Sequence, residues 1–166
     1  MLRVALICLG VIASTVTSDA QRVRDRIAND ELAVVDGPDP IMDAAIAQGR
    51  ATLPQFLILA SSPSRSMSNF TIKVPVPTNN GDEFFWIKDF QLKNGRYSGR
   101  INNTPRWATH LKDGDVITFA ENEIVDWMYV HNGRMKGNFT FCARMKREPK
   151  KEARAAIKQF KADCRL

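Results

Sequence analysis

Asp126 and two histidines are the residues whose side chains are best suited to catalysis. The chain holds only two histidines, His110 and His131. Either of them, paired with Asp126, would form a general acid–base pair. No serine, threonine or cysteine accompanies such a pair in a recognisable nucleophile motif. A hydrolase-like enzyme that uses Asp126 and a histidine is therefore one alternative for the function, and no catalytic residue is assigned.

The run Asp126-Trp127-Met128-Tyr129 is the most distinctive motif of the chain. In a strand, Trp127 and Tyr129 point to one face, and Asp126 and Met128 to the other. One interpretation is structural: the aromatic rings fill the core and Asp126 binds backbone amides at a turn. The other interpretation is a concave recognition surface. Its candidate ligand-binding residues are Trp86, Asn103, Arg106, Asp126, Trp127 and Tyr129.

The first twenty residues have the pattern of a cleavable signal peptide. Arg3 supplies a positive start, residues 4–13 form a short apolar run, and Ser18 and Ala20 place small side chains at a cleavage site. The apolar run is too short to span a bilayer comfortably. We expect cleavage near Ala20, a periplasmic or secreted location, and no transmembrane segment in the mature chain.

Export would leave two cysteines, Cys142 and Cys164, in an oxidising compartment, which favours a disulfide between them. Residues 138–145 are predicted as a strand with Cys142 on its outer face. Cys164 ends the apolar stripe of the last helix, so docking that helix on the outer face would join the two sulfurs. With no CxxC or HExxH motif, the sequence predicts no metal site and no cofactor.

The net charge of +6 is concentrated at the carboxyl end. Residues 143–166 hold nine Lys or Arg against three acidic residues, so this tail alone accounts for the whole excess. Nucleic acid is a disfavoured partner, because nucleic-acid-binding proteins usually carry their positive charge on the folded body, whereas here the domain is neutral and only the tail is basic. The tail still allows a polyanion-binding module as a second alternative.

The amino-terminal half is predicted to contain two short helices. Residues 21–38 are a polar lead-in. Asp39-Pro40 starts one helix, which Gly49 weakens, and Thr52-Leu53-Pro54 starts another. Alternating apolar residues then predict strands at 70–76, 84–92, 97–101, 116–119, 127–130 and 135–145.

Proline and glycine refine this pattern. Pro75 and Pro77 lack a donor for a sheet ladder and predict an edge position or a strand end. Asn94-Gly95 and Asn132-Gly133 predict tight hairpin turns. Pro149 starts a closing helix with an apolar stripe. The fold class is α+β: an antiparallel, strongly curved sheet, for which a small partly open barrel is one possible form, with two short N-terminal helices and a C-terminal helix.

A set of short runs along the chain carries a family resemblance. The runs are Met42-Asp43-Ala44-Ala45-Ile46, Ala51-Thr52-Leu53-Pro54-Gln55-Phe56, Ile72-Lys73-Val74, Phe85-Trp86-Ile87, Asn103-Thr104-Pro105, Gly114-Asp115-Val116, Ile124-Val125-Asp126-Trp127-Met128-Tyr129 and Gly137-Asn138-Phe139-Thr140, with Gly99 and Gly133. Through these runs, residues 39–146 resemble the YegJ-like family of bacterial proteins, known as domain of unknown function 2314. Two positions depart from the family pattern: Phe84 stands in place of a histidine, and Gly49 in place of alanine. The resemblance implies no catalytic residue.

These observations predict four segments: a signal peptide (1–20), a lead-in (21–38), the YegJ-like domain (39–146) and a basic C-terminal helix (147–166). The favoured function is a non-enzymatic binding or interaction domain of an exported bacterial protein. Its partner is expected to be another protein or a cell-envelope polymer.

Overall fold

The computed structural model describes residues 39–165. The predicted signal peptide (1–20) and lead-in (21–38) lie outside this range. The described residues form three α-helices, one short 3₁₀ helix and a six-stranded antiparallel sheet. In chain order the elements are α1 (Pro40–Ser61), β1 (Met67–Thr78), β2 (Gly81–Lys93), β3 (Arg96–Ile101), β4 (Val116–Phe119), the 3₁₀ helix (Glu121–Glu123), β5 (Asp126–His131), β6 (Arg134–Gly137), α2 (Phe139–Met145) and α3 (Lys150–Phe160).

The sheet is open, with strand order β4-β3-β2-β1-β5-β6. The α+β class and the antiparallel pairing are therefore confirmed, and the sheet does not close into a barrel. One face of the sheet packs against α1 and is called the helix face here; the other is called the outer face. Residues opposite one another across strands share a face, so Ile72, Ile87 and Trp127 all point to the helix face.

The prediction of two short amino-terminal helices is wrong, because one helix of 22 residues runs through both segments. Its buried positions are Ala45, Gly49, Leu53 and Phe56, which recur at helical spacing along one side. Packing of this side against the sheet outweighs the loss of one helical hydrogen bond at Pro54. Gly49 does not weaken the helix end: a Cβ there would lie 2.7 Å from the Val125 carbonyl oxygen, so glycine permits close contact with the sheet.

The predicted strand at 135–145 is also wrong beyond its first residues. β6 ends at Gly137, and α2 begins at Phe139. Gly137 and Asn138 both have positive φ angles, of 75° and 54°, which turn the chain out of the sheet. A side chain at Gly137 would collide with the backbone carbonyl and the ring of Trp127, so the turn requires glycine there.

β1 is a central strand, although its prolines predict an edge position or a strand end. Its pairing with β5 stops at Lys73, and its pairing with β2 continues to Thr78. Pro75 and Pro77 therefore lie where β1 has a neighbour on one side only, and their missing donors cost no ladder bond there.

The carboxyl end forms a small second core. Ala153 and Ala156 of α3 pack with Phe141 and Met145 of α2, as the predicted apolar stripe requires. The backbone N–H of Met135 in β6 donates to the Lys161 carbonyl, so the segment after α3 covers the edge of β6.

The Cys142–Cys164 disulfide is present, with a Cα–Cα distance of 5.3 Å. Its setting differs from the prediction, because Cys142 lies in a helix and not on the outer face of a strand. The bridge joins α2 to the segment that follows α3.

Candidate functional site

Asp126 is the centre of a buried polar cluster at the start of β5. Its side chain is fully buried. Oδ1 accepts hydrogen bonds from the backbone N–H groups of Trp127 (2.8 Å) and Phe139 (3.2 Å). Oδ2 accepts from the backbone N–H of Thr140 (2.8 Å) and from its hydroxyl (2.7 Å). Asp126 thus holds the first turn of α2 against the sheet. This agrees with the structural interpretation, in which Asp126 binds backbone amides at a turn.

Lys73 completes this cluster from the neighbouring strand. It is only 2% exposed, and its ammonium donates to the Thr140 hydroxyl at 3.4 Å. The same ammonium lies 5.3 Å from the ring centre of Trp86 and 5.7 Å from that of Phe84, both favourable cation–π distances. A buried cation, a buried carboxylate and a shared hydroxyl therefore satisfy one another.

The pKa of the Asp126 carboxyl reflects two opposed effects. The pKa lies above the usual aspartate value, because burial raises it by more than the Thr140 hydrogen bonds, the Lys73 charge and the Trp127 amide lower it. The carboxylate is enclosed by these groups and has no exposed surface. It is therefore not placed to exchange protons with a bound substrate.

The two histidines do not join Asp126. His131 lies at the opposite end of β5, five residues away, which corresponds to roughly 17 Å along a strand. His110 is exposed in the loop between β3 and β4. The acid–base pair that the sequence allows is thus not assembled.

Trp127 and Tyr129 lie on the helix face, where each is only 9% exposed. The Trp127 ring stacks on Phe56 of α1 at 4.9 Å, and its Nε1–H donates to the Gly49 carbonyl at 3.1 Å. The Tyr129 ring stacks on Phe70 at 5.1 Å. Both rings fill the core between the sheet and α1.

The other three predicted binding residues lie elsewhere. Trp86 points to the outer face, because it pairs with Lys73 in the register of β1 and β2. The Asn103 side-chain oxygen accepts a hydrogen bond from the Trp86 backbone N–H at 2.9 Å. Arg106 is exposed, with its guanidinium 5.5 Å from the Trp107 ring centre. The structure therefore does not bring the six residues into one surface, and their role in binding stays a prediction.

A cleft opens where the two central strands separate. β1 and β2 pair from the hairpin turn up to Ile72 opposite Ile87. Beyond this point each strand contains a bulge, between Ser68 and Thr71 in β1 and between Lys88 and Gln91 in β2. Asn69 and Asp89 have positive φ angles, of 55° and 52°, within these bulges. The bulges bend the strands apart and split this half of the sheet.

Phe56 of α1 lies between the separated strands on the helix face. Its ring centre is 5.8 Å from that of Phe70 in β1 and 6.0 Å from that of Phe90 in β2. Phe56 is only 1% exposed, so it belongs to the core and contacts both strands at the point where they separate.

The cleft has a volume of about 930 Å³, within the range of small-ligand sites. Its apolar wall includes Leu57, Phe70, Phe90, Tyr97 and Met128, and its polar wall includes Asn69, Thr71, Lys88, Asp89 and Asn102.

Thr71 is the residue of the cleft with an unexplained polar group. It is only 4% exposed, and its hydroxyl oxygen has no hydrogen-bond partner among residues 39–165. Such a buried hydroxyl costs free energy unless something binds it. The predicted unbroken strand at 84–92 gives no sign of the split, because Phe90 and Leu92 continue the alternation of Phe84 and Trp86.

No helix within residues 39–165 is long and apolar enough to cross a membrane. In the same range, no group of three or more His, Cys, Asp or Glu side chains is arranged to hold a metal ion.

Comparisons with known proteins place the chain among bacterial proteins. It is 28% identical over 112 residues to the "Uncharacterized protein YegJ" of Escherichia coli (strain K12), covering 68% of this chain and 72% of that protein. It is 33% identical over 76 residues to a "Putative ankyrin repeat protein" of Neisseria meningitidis serogroup B, covering 43% of this chain and 30% of that protein. No solved structure matches the chain.

The family comparison covers most of the described fold. Residues 39–163 match the model of the family described as "Uncharacterized protein conserved in bacteria (DUF2314)". The match extends from the start of α1 into the segment that covers the edge of β6. It confirms the family inferred from the sequence motifs, and the chain belongs to the DUF2314 family.

Proposed function

We propose that this protein is an exported bacterial binding domain without catalytic activity, and that its ligand occupies the cleft between β1 and β2. The observation that carries this proposal is the cleft of about 930 Å³ where β1 and β2 separate, with the buried, unpartnered Thr71 among its lining residues. Buried polar groups in native proteins are almost always hydrogen-bonded. A ligand in the cleft would bond the Thr71 hydroxyl once the side chain turns it toward the opening.

Two further observations support binding over catalysis. Asp126 is enclosed by its own hydrogen bonds, and neither histidine lies beside it. A mixed wall of aromatic and polar side chains is typical of recognition sites. The similarity to part of a putative ankyrin repeat protein also fits an interaction role, because repeat proteins present extended binding surfaces.

The export part of the proposal rests on the pattern of residues 1–20 and on the disulfide between Cys142 and Cys164, which favours an oxidising compartment. Intact-mass measurement of the protein recovered from the periplasm or medium should give a chain that begins at or near Gln21. A mass that retains residues 1–20 would defeat this part.

Blocking the cleft tests the binding part. A library of small molecules and short peptides is screened against the purified protein by ligand-observed NMR. Ala60→Trp places a large ring in the cleft wall, and Ala155→Trp adds the same ring to the exposed side of α3 as a matched control. We expect hits that bind the wild type and Ala155→Trp but not Ala60→Trp. Hits that bind all three proteins equally, or no hits at all, would contradict the proposal.

A second candidate function is polyanion binding through α3. Four basic residues recur at helical spacing on its exposed side or just after its end: Lys151, Arg154, Lys158 and Lys161. If this row binds heparin, used as the probe, the affinity should fall steeply with salt and disappear in the fourfold Gln variant. Binding that survives the four substitutions would place the site on the rest of the domain.

A further inference from the structure

The walls of the cleft expose the main chain of two strands. Residues 67–71 of β1 pair with β5 on one side, and residues 88–93 of β2 pair with β3 on one side. The pairing of β1 with β2 covers neither segment. Within the described chain, the two facing strand edges therefore have no neighbouring strand. Unpaired edges of this kind are templates for an added strand.

The lengths of the two free segments fit a short strand. The free segment of β1 has five residues and that of β2 has six. Five extended residues span roughly 17 Å. Since β1 and β2 are antiparallel, a strand between them would run antiparallel to one and parallel to the other.

The side chains around the opening differ between the two faces. On the helix face, Leu57, Phe70 and Phe90 are apolar. On the outer face, Thr71 and Lys88 are polar. Successive residues of a strand point to opposite faces, so the ligand that fits alternates apolar and polar side chains.

We infer that the cleft binds an extended peptide of about five residues, with alternating apolar and polar side chains, as an added strand between β1 and β2. The inference rests on the proposed function, because it names the ligand class of the same cleft. The main chain of the peptide pairs with the two free edges, and its polar side chains lie on the outer face, on the side of Thr71 and Lys88. Lys88 and Asp89 at the cleft carry opposite charges, so the peptide needs no net charge.

The test uses defined peptides. A pool of acetylated and amidated pentapeptides carries Val, Leu, Ile or Phe at positions one, three and five, and Ser, Thr, Lys or Asp at positions two and four. The purified protein is incubated with the pool, and the tightest binder is identified and resynthesised. A second version carries an N-methyl group on the central main-chain nitrogen, which removes one donor and blocks strand pairing.

The expected result is that the selected peptide binds wild type but not Ala60→Trp, and that N-methylation weakens binding about tenfold or more. Equal affinity of both versions would overturn the added strand. A small molecule that needs the open cleft, together with failure of every pentapeptide, would overturn the peptide inference and leave the proposed function standing. Failure of all ligands would overturn both.

Discussion

Thr71 and Thr140 are equally buried, with 4% of each residue exposed, yet their hydroxyls have opposite surroundings. The Thr140 hydroxyl donates to Asp126 and accepts from Lys73. The Thr71 hydroxyl has no partner in the described part of the chain. Thr71 is only two residues from Lys73 and points to the same face of β1. One strand thus passes from a closed half of the sheet, sealed by α2, to an open half that contains the cleft.

This difference suggests a division of roles, in which the closed half stabilises the fold and the open half binds a ligand. In the closed half every buried polar group of the Asp126 cluster is satisfied within the chain, so the cluster stabilises the fold. In the open half two bulges interrupt the sheet ladder and a buried hydroxyl has no partner, so we expect neither feature to stabilise the fold. If the halves divide in this way, loss of a polar group should destabilise the closed half and leave the stability of the open half intact.

Loss of the Asp126 carboxylate should have the largest effect. Asp126→Ala leaves Lys73 buried without its countercharge and the first turn of α2 without its acceptor. We expect the free energy of unfolding to fall by about 3–5 kcal/mol, measured by urea denaturation. The exposed Asp113→Ala serves as the control and should change little. Equal effects of the two substitutions would show that the cluster does not hold the closed half together.

Removal of the disulfide should cause the second-largest loss in the free energy of unfolding. The double substitution Cys142→Ser and Cys164→Ser frees the segment after α3, and the chain-entropy model gives a loss of about 3 kcal/mol for a loop of this size. Cleft binding should be unchanged in conditions where the variant is folded, because the bridge lies in the second core. Two titratable thiols at these positions in the unreduced protein would contradict the structure itself.

Removal of the Thr140 hydroxyl should cause a smaller but measurable loss in the free energy of unfolding. Thr140→Val keeps the shape of the side chain and removes a group that bonds both Asp126 and Lys73. We expect a loss of about 1–3 kcal/mol in the free energy of unfolding, since two buried charged groups each lose a partner. Thr118→Val, at an exposed position in the edge strand β4, is the matched control. A loss no larger than in this control would mean that the hydroxyl is not part of the cluster's stability.

A small pH effect should come from Asp163, which binds Lys136 of β6 at 2.6 Å. The hydrogen bond and charge of Lys136 hold the pKa of Asp163 below its usual value. Its contribution is therefore complete above the unfolded pKa near 4 and is lost as the pH falls through the lower folded value. The stability difference between wild type and Asp163→Asn should be slight at pH 7, because the pair is exposed, and should vanish once the pH lies below the folded pKa of Asp163. If the stability difference between wild type and Asp163→Asn grew as the pH fell, it would contradict a lowered pKa of Asp163 in the folded protein.

Much of the fold could be predicted from local sequence patterns. Alternating apolar residues correctly predicted strands at β1 to β5, and the apolar stripe from Ala153 to Phe160 correctly predicted α3. The failures lie where a distant residue decides the local structure. Whether residues 139–145 form a strand or a helix depends on Asp126, which accepts from the amides that begin α2. The continuity of α1 through Pro54 depends on its packing against the sheet.

The candidate site was harder to predict than the fold. Trp127 and Tyr129 were prominent by residue type, but they are core residues, and Trp86 lies on the opposite face. The cleft arises from two bulges on neighbouring strands, and only the relative register of β1 and β2 reveals that they face one another. The sequence of β2 does not indicate its own bulge either, because Phe90 and Leu92 continue the alternation of Phe84 and Trp86.

The stability of Thr71→Val tests the division between the two halves most directly. Valine matches threonine in shape and removes only the hydroxyl. If that hydroxyl serves a ligand and not the fold, the free energy of unfolding in urea should be unchanged or higher by about 1 kcal/mol, since an unsatisfied buried group has been removed. A loss comparable to that of Thr140→Val would contradict this division, because it would show that the fold itself uses the Thr71 hydroxyl.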